Sequence, residues 1–395
     1  MRGRHIAVLM SAIVLAGCGV APETITPAAT TSSSPVSEDV STPLEKHTVS
    51  DMAEQVFDSL TLDQKIGQLI MVSLTRTQAA SNLRPLLEGG QVTGVLLLDN
   101  GWTADEVAGA VEQLNTMDAG QPVGLYIAVD QEGGNVQRLS GKGFDAIPKA
   151  TVQGSWSTDE LTAKAESWAK QLSAIGVNLN LAPDTDTVPA SMTRANKPIG
   201  ALGRYFSTDP AVVGSHARAF IAGMSAGDVQ TCIKHFPGLG RITGNTDTSA
   251  KGITDDVTTS QDDYVAAFKD AMAADPAMVM MSLATYSKID ADHPAAFSSA
   301  VVDDLLRGQL GWGGVVISDA LNAAAVKSVP APQRATQFIQ AGGDIALFPA
   351  IADATAGFDG IKALVATNKD FAAKVDAAVM RVLRAKAAAG LLDNG

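Results

Sequence analysis

Asp319 ends an apolar run in the stretch VVISDAL, where a carboxylate could act as a nucleophile. A carboxylate at the end of a buried strand is costly unless it is solvated, paired or used in chemistry. The local alternative is that Asp319 caps the helix that follows the run. Because covalent catalysis needs an ionised carboxylate held in place, Asp319 is the first candidate for such chemistry.

The stretch VDQEGGNVQRL places Asp130 at the end of another apolar run and Arg138 beyond a Gly133–Gly134 turn. A carboxylate can accept hydrogen bonds from two hydroxyls at once, and a guanidinium can donate to ligand oxygens and neutralise nearby acids. A surface turn with an incidental ion pair is the alternative. The pair is therefore a candidate for binding a ligand rich in hydroxyls.

Lys234 and His235 end a third apolar run in KHFPGLG. Adjacent side chains of a regular strand point to opposite faces, so both can serve one site only if the strand kinks. Pro237 follows and favours such a kink, since proline disrupts strand pairing. Both residues are candidates for ligand binding.

These residues require strands that end at a common edge. Eight continuous apolar runs, each followed by a helical pattern, recur along the chain: IGQLIMVSL, GVLLLDN, GLYIAVD, VNLNLAP, QTCIKHFP, AMVMMSL, GVVISDA and DIALFP. Runs of this kind are typical of strands buried on both faces, and their alternation with helices predicts an α/β fold, a single (β/α)8 barrel of the TIM type. The polar residues at or just after the strand ends are Asn100, Asp130, Asp184, Asp186, His235 and Asp319. In such barrels this end is the functional face.

The stretches VDQEGGNVQRL, KHFPGLG and VVISDAL together resemble glycoside hydrolase family 3, specifically its bacterial β-N-acetylglucosaminidases built from a single barrel domain. The resemblance extends from about Ser59 to Leu392. It implies a retaining mechanism with Asp319 as the nucleophile, and a supporting role for Asp186. The sugar-binding positions that it implies are Asp130, Arg138, Arg204, Lys234 and His235.

A retaining hydrolase also needs an acid that protonates the departing oxygen and then a base that activates water. The resemblance implies an Asp-x-His pair in the loop after the fifth strand. Asp247 matches the aspartate, but Ser249 stands where the histidine belongs. A serine hydroxyl titrates far too high to act as a general acid near neutral pH.

The other histidines do not fill this gap. Four of the five are His5 in the leader, His47 in the tether, His216 in a helical stretch and His235 at the sugar-binding position. His293 follows the sixth strand on the functional face but matches no catalytic position of the family. Three interpretations stay open: Asp247 acts alone, Asp255 or Asp256 supplies the proton, or proton transfer is lost.

The first residues have the layout of an export signal. Arg2 and Arg4 precede an apolar run that closes on LAGC, which resembles the bacterial lipobox, so we expect a signal peptide over 1–17 and a lipid on Cys18. An ordinary exported protein is the alternative. Residues 18–50 are rich in Thr, Ser, Pro and Ala and predict a flexible tether, which leaves 51–395 for the barrel.

The function that follows is an exo-acting β-N-acetylglucosaminidase, lipid-anchored on the extracytoplasmic face of the cell membrane, that acts on cell-wall sugars. Its activity is weakened by the missing histidine. A carbohydrate-binding or scaffolding lipoprotein without turnover, and a two-lobed solute-binding lipoprotein, are the alternatives. The net charge of −13 argues against nucleic acid or an anionic membrane surface as a partner. No metal, phosphate-loop or dinucleotide motif occurs, so no cofactor is expected.

Overall fold

Eight short parallel strands form the centre of the protein in the computed structural model, which describes residues 43–392. In chain order the strands are β1 (Ile70–Leu74), β2 (Gly94–Leu97), β3 (Tyr126–Val129), β4 (Leu179–Asn180), β5 (Gln230–Phe236), β6 (Met278–Met281), β7 (Val315–Ser318) and β8 (Ala346–Phe348). Consecutive strands pair from β1 to β7, and β8 pairs with β1. A parallel bridge between Ile317 and Ile345 brings β7 beside the start of β8. The predicted (β/α)8 barrel is confirmed.

The strands are buried on both faces because side chains fill the barrel and helices cover it. The helices are α1 (Pro43–Ser59), α2 (Leu62–Gly67), α3 (Arg84–Glu88), α4 (Ala104–Asp118), α5 (Ala150–Gln153), α6 (Thr158–Ser173), α7 (Pro210–Ala226), α8 (Asp263–Met272), α9 (Ala331–Gln340), α10 (Ile351–Val365) and α11 (Lys369–Ala388). The segment Ala300–Gln309, between β6 and β7, is a π-helix. Thr61 and Thr103 start α2 and α4 with capping boxes, which satisfy free backbone amides.

The first helix begins at Pro43, inside the range predicted as a tether, so the predicted boundary at residue 51 lies too late. Val49, Met52, Val56 and Phe57 pack on the core, and Ala53 is fully buried. This burial offsets the entropy of ordering the helix. The predicted signal peptide, Cys18 and the rest of the tether lie outside the described residues. Among residues 43–392 no helix combines the length and apolar character that a membrane span requires.

Two small sheets stand on the C-terminal ends of the barrel strands. Gln131–Gly133 and Val136–Gln137 form a hairpin directly after β3. Thr254–Asp255, Thr285–Tyr286 and Asp290–Pro294 form a three-stranded sheet from the segments after β5 and β6. Both sheets shape the face at which the candidate residues meet.

Candidate functional site

Lys234 and Arg138 both contact Asp130, at the end of β3. The Lys234 Nζ donates to Asp130 Oδ1 at 2.7 Å, and the Arg138 guanidinium lies 3.5 Å from Oδ2. Burial alone would raise the pKa of the Asp130 carboxyl, but the two positive charges outweigh it and hold the pKa below its usual value. Asp130 is therefore ionised at neutral pH and can accept hydroxyl hydrogen bonds.

Glu132, which the sequence analysis overlooked, pairs with two of the cations that are expected to bind the sugar. Its carboxylate accepts two hydrogen bonds from Arg204, each 2.8 Å long, and lies 2.7 Å from Lys234 Nζ. Burial opposes ionisation of Glu132, but Arg204 and Lys234 bring its pKa well below the usual value. An acid two residues after the strand-end Asp130, in a strand pattern that places both on one face, is the signal that could have identified it.

Glu132→Gln should lower the free energy of unfolding by about 3 kcal/mol, because losing one partner of a buried ion pair leaves the other charge uncompensated. Urea unfolding measures this loss. Glu166→Gln is the matched control, since Glu166 also pairs with a cation, Lys170 at 2.6 Å, but at the exposed surface. Exposed pairs contribute at most about 1 kcal/mol, so similar losses in the two variants would contradict the role assigned to Glu132.

His235 and Asp186 form a second buried pair. The His235 Nδ1 lies 2.8 Å from Asp186 Oδ2, and the backbone amide of Leu239 donates to Asp186 Oδ1 at 2.7 Å. Burial lowers the pKa of His235 to about 4 and raises that of Asp186 to about 6. At neutral pH the network assigns the proton to Nδ1, which leaves Nε2 as an acceptor for a ligand hydroxyl. Asp186 therefore orients His235, in keeping with its expected supporting role.

The end of β5 departs from regular pleating, as the sequence analysis expects. The pairing register with β6 shifts between Ile233 and Phe236, and the Lys234–His235 and Phe236–Pro237 peptide bonds are cis. Lys234 contacts Asp130 and Glu132, whereas the neighbouring His235 contacts Asp186. Both side chains thus contact acids of the same group at the C-terminal end of the barrel.

Asp184, Asp186 and His235 are the group among the described residues whose ligand atoms lie close enough to hold a metal, within 4.8 Å of one another. Asp186 and His235 are already hydrogen-bonded to each other, and Arg204 Nε lies 3.5 Å from Asp184 Oδ2. Burial, and then the neighbouring charge of Asp186, raises the pKa of Asp184 well above its usual value. In the described structure, the Arg204 guanidinium and the hydrogen bond between Asp186 and His235 already engage these three side chains.

Asp319 follows β7 and leaves one carboxylate oxygen free. Its backbone amide donates to the Met281 carbonyl at 3.1 Å, and its Oδ1 accepts from the Ala320 amide at 2.7 Å. Burial raises the pKa of Asp319, and the negative charge of Asp247 raises it further. The backbone contacts fix the carboxylate in the way that a nucleophile requires.

Asp247 is carried by a loop that is tied down at both ends. Thr243 and Gly244 donate to the Gly252 carbonyl at the base of the loop, at 3.0 and 2.7 Å. At the other end, Ala324, in the segment after β7, donates to the Asp247 carbonyl at 3.1 Å. The Asp247 residue is exposed, but the protein packed around its carboxyl raises the pKa of that group, and the charge of Asp130 adds to this effect. The loop thus places a carboxyl of raised pKa where its charge acts on the Asp319 carboxyl.

Ser249 has a structural role in the same loop. Its hydroxyl donates to the Lys251 carbonyl and accepts from the Lys251 amide, both at 3.0 Å. Asp255, one of the alternative acids, is buried and accepts from the backbone amides of Val257 and Thr258 at 2.8 and 2.9 Å. Its carboxylate is therefore committed to the turn that follows it.

His216 and His293 are also engaged elsewhere. His216, on α7, places Nδ1 2.9 Å from the Val212 carbonyl and Nε2 3.0 Å from the Trp156 carbonyl. His293 is exposed on the small sheet, where its Nδ1 lies 3.0 Å from Asp290 Oδ2. Among the candidate acids, Asp247 is the one whose charge raises the pKa of Asp319 and whose loop is hydrogen-bonded to the segment after β7.

A cavity of about 960 Å³ opens at the other end of the barrel. It lies among the starts of β4 to β7 and the end of α11, and its lining includes Asn178, Gln230, Ala277, Gly314 and Arg384. None of the candidate site residues lines it. We therefore place the functional site at the C-terminal ends of the strands.

Comparisons with known proteins bear on this site. The family model described as "Glycosyl hydrolase family 3 N terminal domain" matches residues 61–385. Two proteins named beta-hexosaminidase, from Xylella fastidiosa (strain 9a5c) and Stenotrophomonas maltophilia (strain R551-3), are each 32% identical, over 268 and 290 residues. The alignments cover 66% and 71% of this chain, and 77% and 82% of the relatives.

Solved structures agree in fold. A beta-N-acetylhexosaminidase from Beutenbergia cavernae DSM 12333 superposes with a TM-score of 0.80 and 46% identity, over 83% of this chain and 98% of that chain. A glycoside hydrolase family 3 beta-N-acetylglucosaminidase from Paenibacillus sp. str. FPU-7 gives a TM-score of 0.74 and 26% identity, over 85% and 64% of the two chains.

Proposed function

The chain belongs to glycosyl hydrolase family 3, and on that premise we propose that it is a retaining exo-β-N-acetylglucosaminidase. The observation that carries the proposal is that the loop of Asp247 is hydrogen-bonded to the segment after β7, directly beyond Asp319, and that the charge of Asp247 raises the pKa of the Asp319 carboxyl. Two carboxyl groups with different tasks are what retaining glycoside hydrolysis needs. The relatives are named for N-acetylhexosamines, and the N-acetylglucosamine specificity is supported by the name of the Paenibacillus structure, a beta-N-acetylglucosaminidase.

In the first step Asp319 attacks the anomeric carbon while Asp247 donates its proton to the departing oxygen. Asp130, with Lys234, Arg138 and His235, binds hydroxyls of the ring as positive charge develops on the sugar. In the second step the Asp247 carboxylate removes a proton from water. That water then attacks the anomeric carbon and releases the sugar with its β configuration.

The acid/base step is expected to be weaker than with an Asp-x-His pair, because Ser249 supplies no titratable group. We propose that the physiological substrates are fragments of the cell wall, in line with the export signal that the sequence predicts before the barrel. Attachment of the chain to the membrane through a lipid on Cys18 belongs to the same proposal.

Cys18→Ser should move the protein from the membrane to the aqueous fraction, and unchanged partitioning would disprove the anchor.

Proton NMR during hydrolysis of nitrophenyl N-acetyl-β-glucosaminide, in which the one sugar released comes from the cleaved bond, tests the proposed reaction. The β anomer of free N-acetylglucosamine should appear first and then mutarotate, because two displacements preserve the configuration. Initial release of the α anomer would exclude Asp319 as a nucleophile of this kind.

The absence of a histidine at position 249 favours one alternative function, a carbohydrate-binding protein without turnover. Isothermal titration with N-acetylglucosamine separates the two. Binding in the absence of any hydrolysis of chitobiose or of a nitrophenyl N-acetylglucosaminide would support the binding protein.

A further inference from the structure

Asn180, the last residue of β4, is fully buried and contacts the segment that carries two acids of the site. Its side chain makes two hydrogen bonds to the backbone of Gln131, the residue between Asp130 and Glu132. The Gln131 amide donates to Asn180 Oδ1 at 3.0 Å, and Asn180 Nδ2 donates to the Gln131 carbonyl at 3.2 Å. The pairing of β3 with β4 ends at Asn180, so its side-chain amide satisfies backbone groups that the next strand residue would otherwise satisfy.

These two hydrogen bonds fix the directions of both acids. The backbone groups that Asn180 holds belong to the peptide units that join Gln131 to Asp130 and to Glu132. The two carboxylates both lie 2.7 Å from the same atom, Lys234 Nζ. Residues two positions apart share a face only while the chain between them stays extended. Holding the two peptide units therefore holds both carboxylates against the lysine.

Two further buried amides support the same segment. Gln131 Nε2 donates to the Leu139 carbonyl at 2.8 Å, and its Oε1 accepts from the Leu139 amide at 3.1 Å, directly after Arg138. Gln153 Nε2 donates to the Glu132 carbonyl at 2.8 Å. A side-chain amide can satisfy a buried N–H and a buried C=O together without adding a charge. The support therefore leaves the balance between the acids and the cations of the site unchanged.

We propose that Asn180 is a positioning residue of the sugar site, which holds Asp130 and Glu132 in the orientation that sugar binding requires. The inference rests on the proposed function, because it takes Asp130 to be a sugar-binding residue. Asn180 acts through the backbone of Gln131. Its loss should therefore weaken sugar binding by more than the loss of an equivalent amide elsewhere in the barrel.

Asn178, two residues earlier, is the matched control. Its Oδ1 accepts from the Ile127 amide at 2.9 Å, and its Nδ2 donates to the Leu125 carbonyl at 3.0 Å. Asn178 thus makes the same two kinds of contact with the backbone in and before β3, but at the other end of that strand, away from the acids. Asn178→Ala and Asn180→Ala both leave a backbone amide and a carbonyl without their partner, so both should lower the free energy of unfolding.

Isothermal titration with N-acetylglucosamine and kcat/KM for nitrophenyl N-acetylglucosaminide separate the two variants. Asn180→Ala should lower both the affinity and kcat/KM about 10- to 100-fold, because small displacements of binding groups have effects of this size. Asn178→Ala should change both by less than about twofold. Equal losses in the two variants, or a loss below twofold in Asn180→Ala, would overturn the proposal.

Asn180→Ser and Asn178→Ser repeat the comparison if an alanine variant does not fold. A serine hydroxyl can still bond to one of the two backbone groups, so the changes are milder. Asn180→Ser should again weaken sugar binding more than its control does, and the reverse order would refute the positioning role.

Failure of the proposed hydrolase is distinguishable from failure of this role, because titration measures binding whether or not turnover occurs. A crystal structure of the Asn180 variant tests the role without any sugar. At least one of the two contacts with Lys234 Nζ, both 2.7 Å in the wild type, should lengthen beyond hydrogen-bonding distance. Two unchanged contacts would show that Asn180 does not position the acids.

Discussion

Asp319→Asn is expected to lower kcat by about 10³- to 10⁶-fold on any substrate, because it removes the atom that forms the covalent bond to the sugar. Asparagine keeps the size of the side chain and can still accept from the Ala320 amide, so the fold should survive. Circular dichroism and thermal unfolding check that it does. Asp304→Asn, a matched change on the exposed side of the π-helix Ala300–Gln309, should leave kcat unchanged.

Covalent labelling identifies the nucleophile directly. A slow fluorinated N-acetylglucosaminide should leave its sugar on the peptide that contains Asp319, as mass spectrometry would detect. A label on a different peptide, or an Asp319→Asn variant that retains more than about a tenth of wild-type kcat, would contradict the assignment.

The second large effect is expected to depend on the leaving group. Loss of general-acid assistance typically costs about 10²- to 10⁴-fold, and the cost falls on leaving groups of high pKa. Nitrophenolate needs hardly any protonation, whereas a sugar hydroxyl does. Wild type should therefore cleave nitrophenyl N-acetylglucosaminide far faster than chitobiose. Ser249→His should raise the rate on chitobiose more than the rate on the nitrophenyl substrate.

Ser249→Ala is the control for the loop itself. Both changes remove the hydroxyl that bridges the amide and carbonyl of Lys251, but alanine adds no titratable group. Ser249→Ala should therefore change the rates on the two substrates by the same factor. If wild type already cleaves both substrates comparably and the histidine variant gains nothing, another group supplies the proton, and Asp247→Ala then shows whether that group is Asp247.

The pH dependence of chitobiose turnover follows from the same pair. Asp319 must be ionised, and since its pKa is raised, the rate should fall as the pH drops through that pKa. Asp247 must carry a proton, and its raised pKa extends the range in which it does. The rate should therefore also fall as the pH rises above the pKa of Asp247, and Asp247→Asn should remove this alkaline limb.

The sequence alone determined the barrel and most of the polar residues at its functional face. Parallel strands covered on both sides must be apolar throughout, so each of the eight runs was visible without any tertiary information. Their carboxyl ends lie together in a barrel, which places Asp130, His235 and Asp319 on one face. The serine at position 249 could also be recognised from the sequence, because only the identity of the residue is needed to see that no histidine stands there.

Only the tertiary structure decided which charges neutralise one another. Glu132 lies in a stretch that the sequence analysis quoted, yet its two partners, Lys234 and Arg204, come from β5 and the loop after β4. The packing of α1 through Val49, Met52, Val56 and Phe57 likewise depends on a core that the distant α11 helps to form.

The physical reason is that burial and charge pairing are properties of position in space. An apolar strand pattern indicates which side chains are buried, because every strand of the barrel is covered by side chains on one face and by helices on the other. It does not indicate which loops face each other, and this arrangement decides whether a cation such as Lys234 is neutralised by acids from another part of the chain.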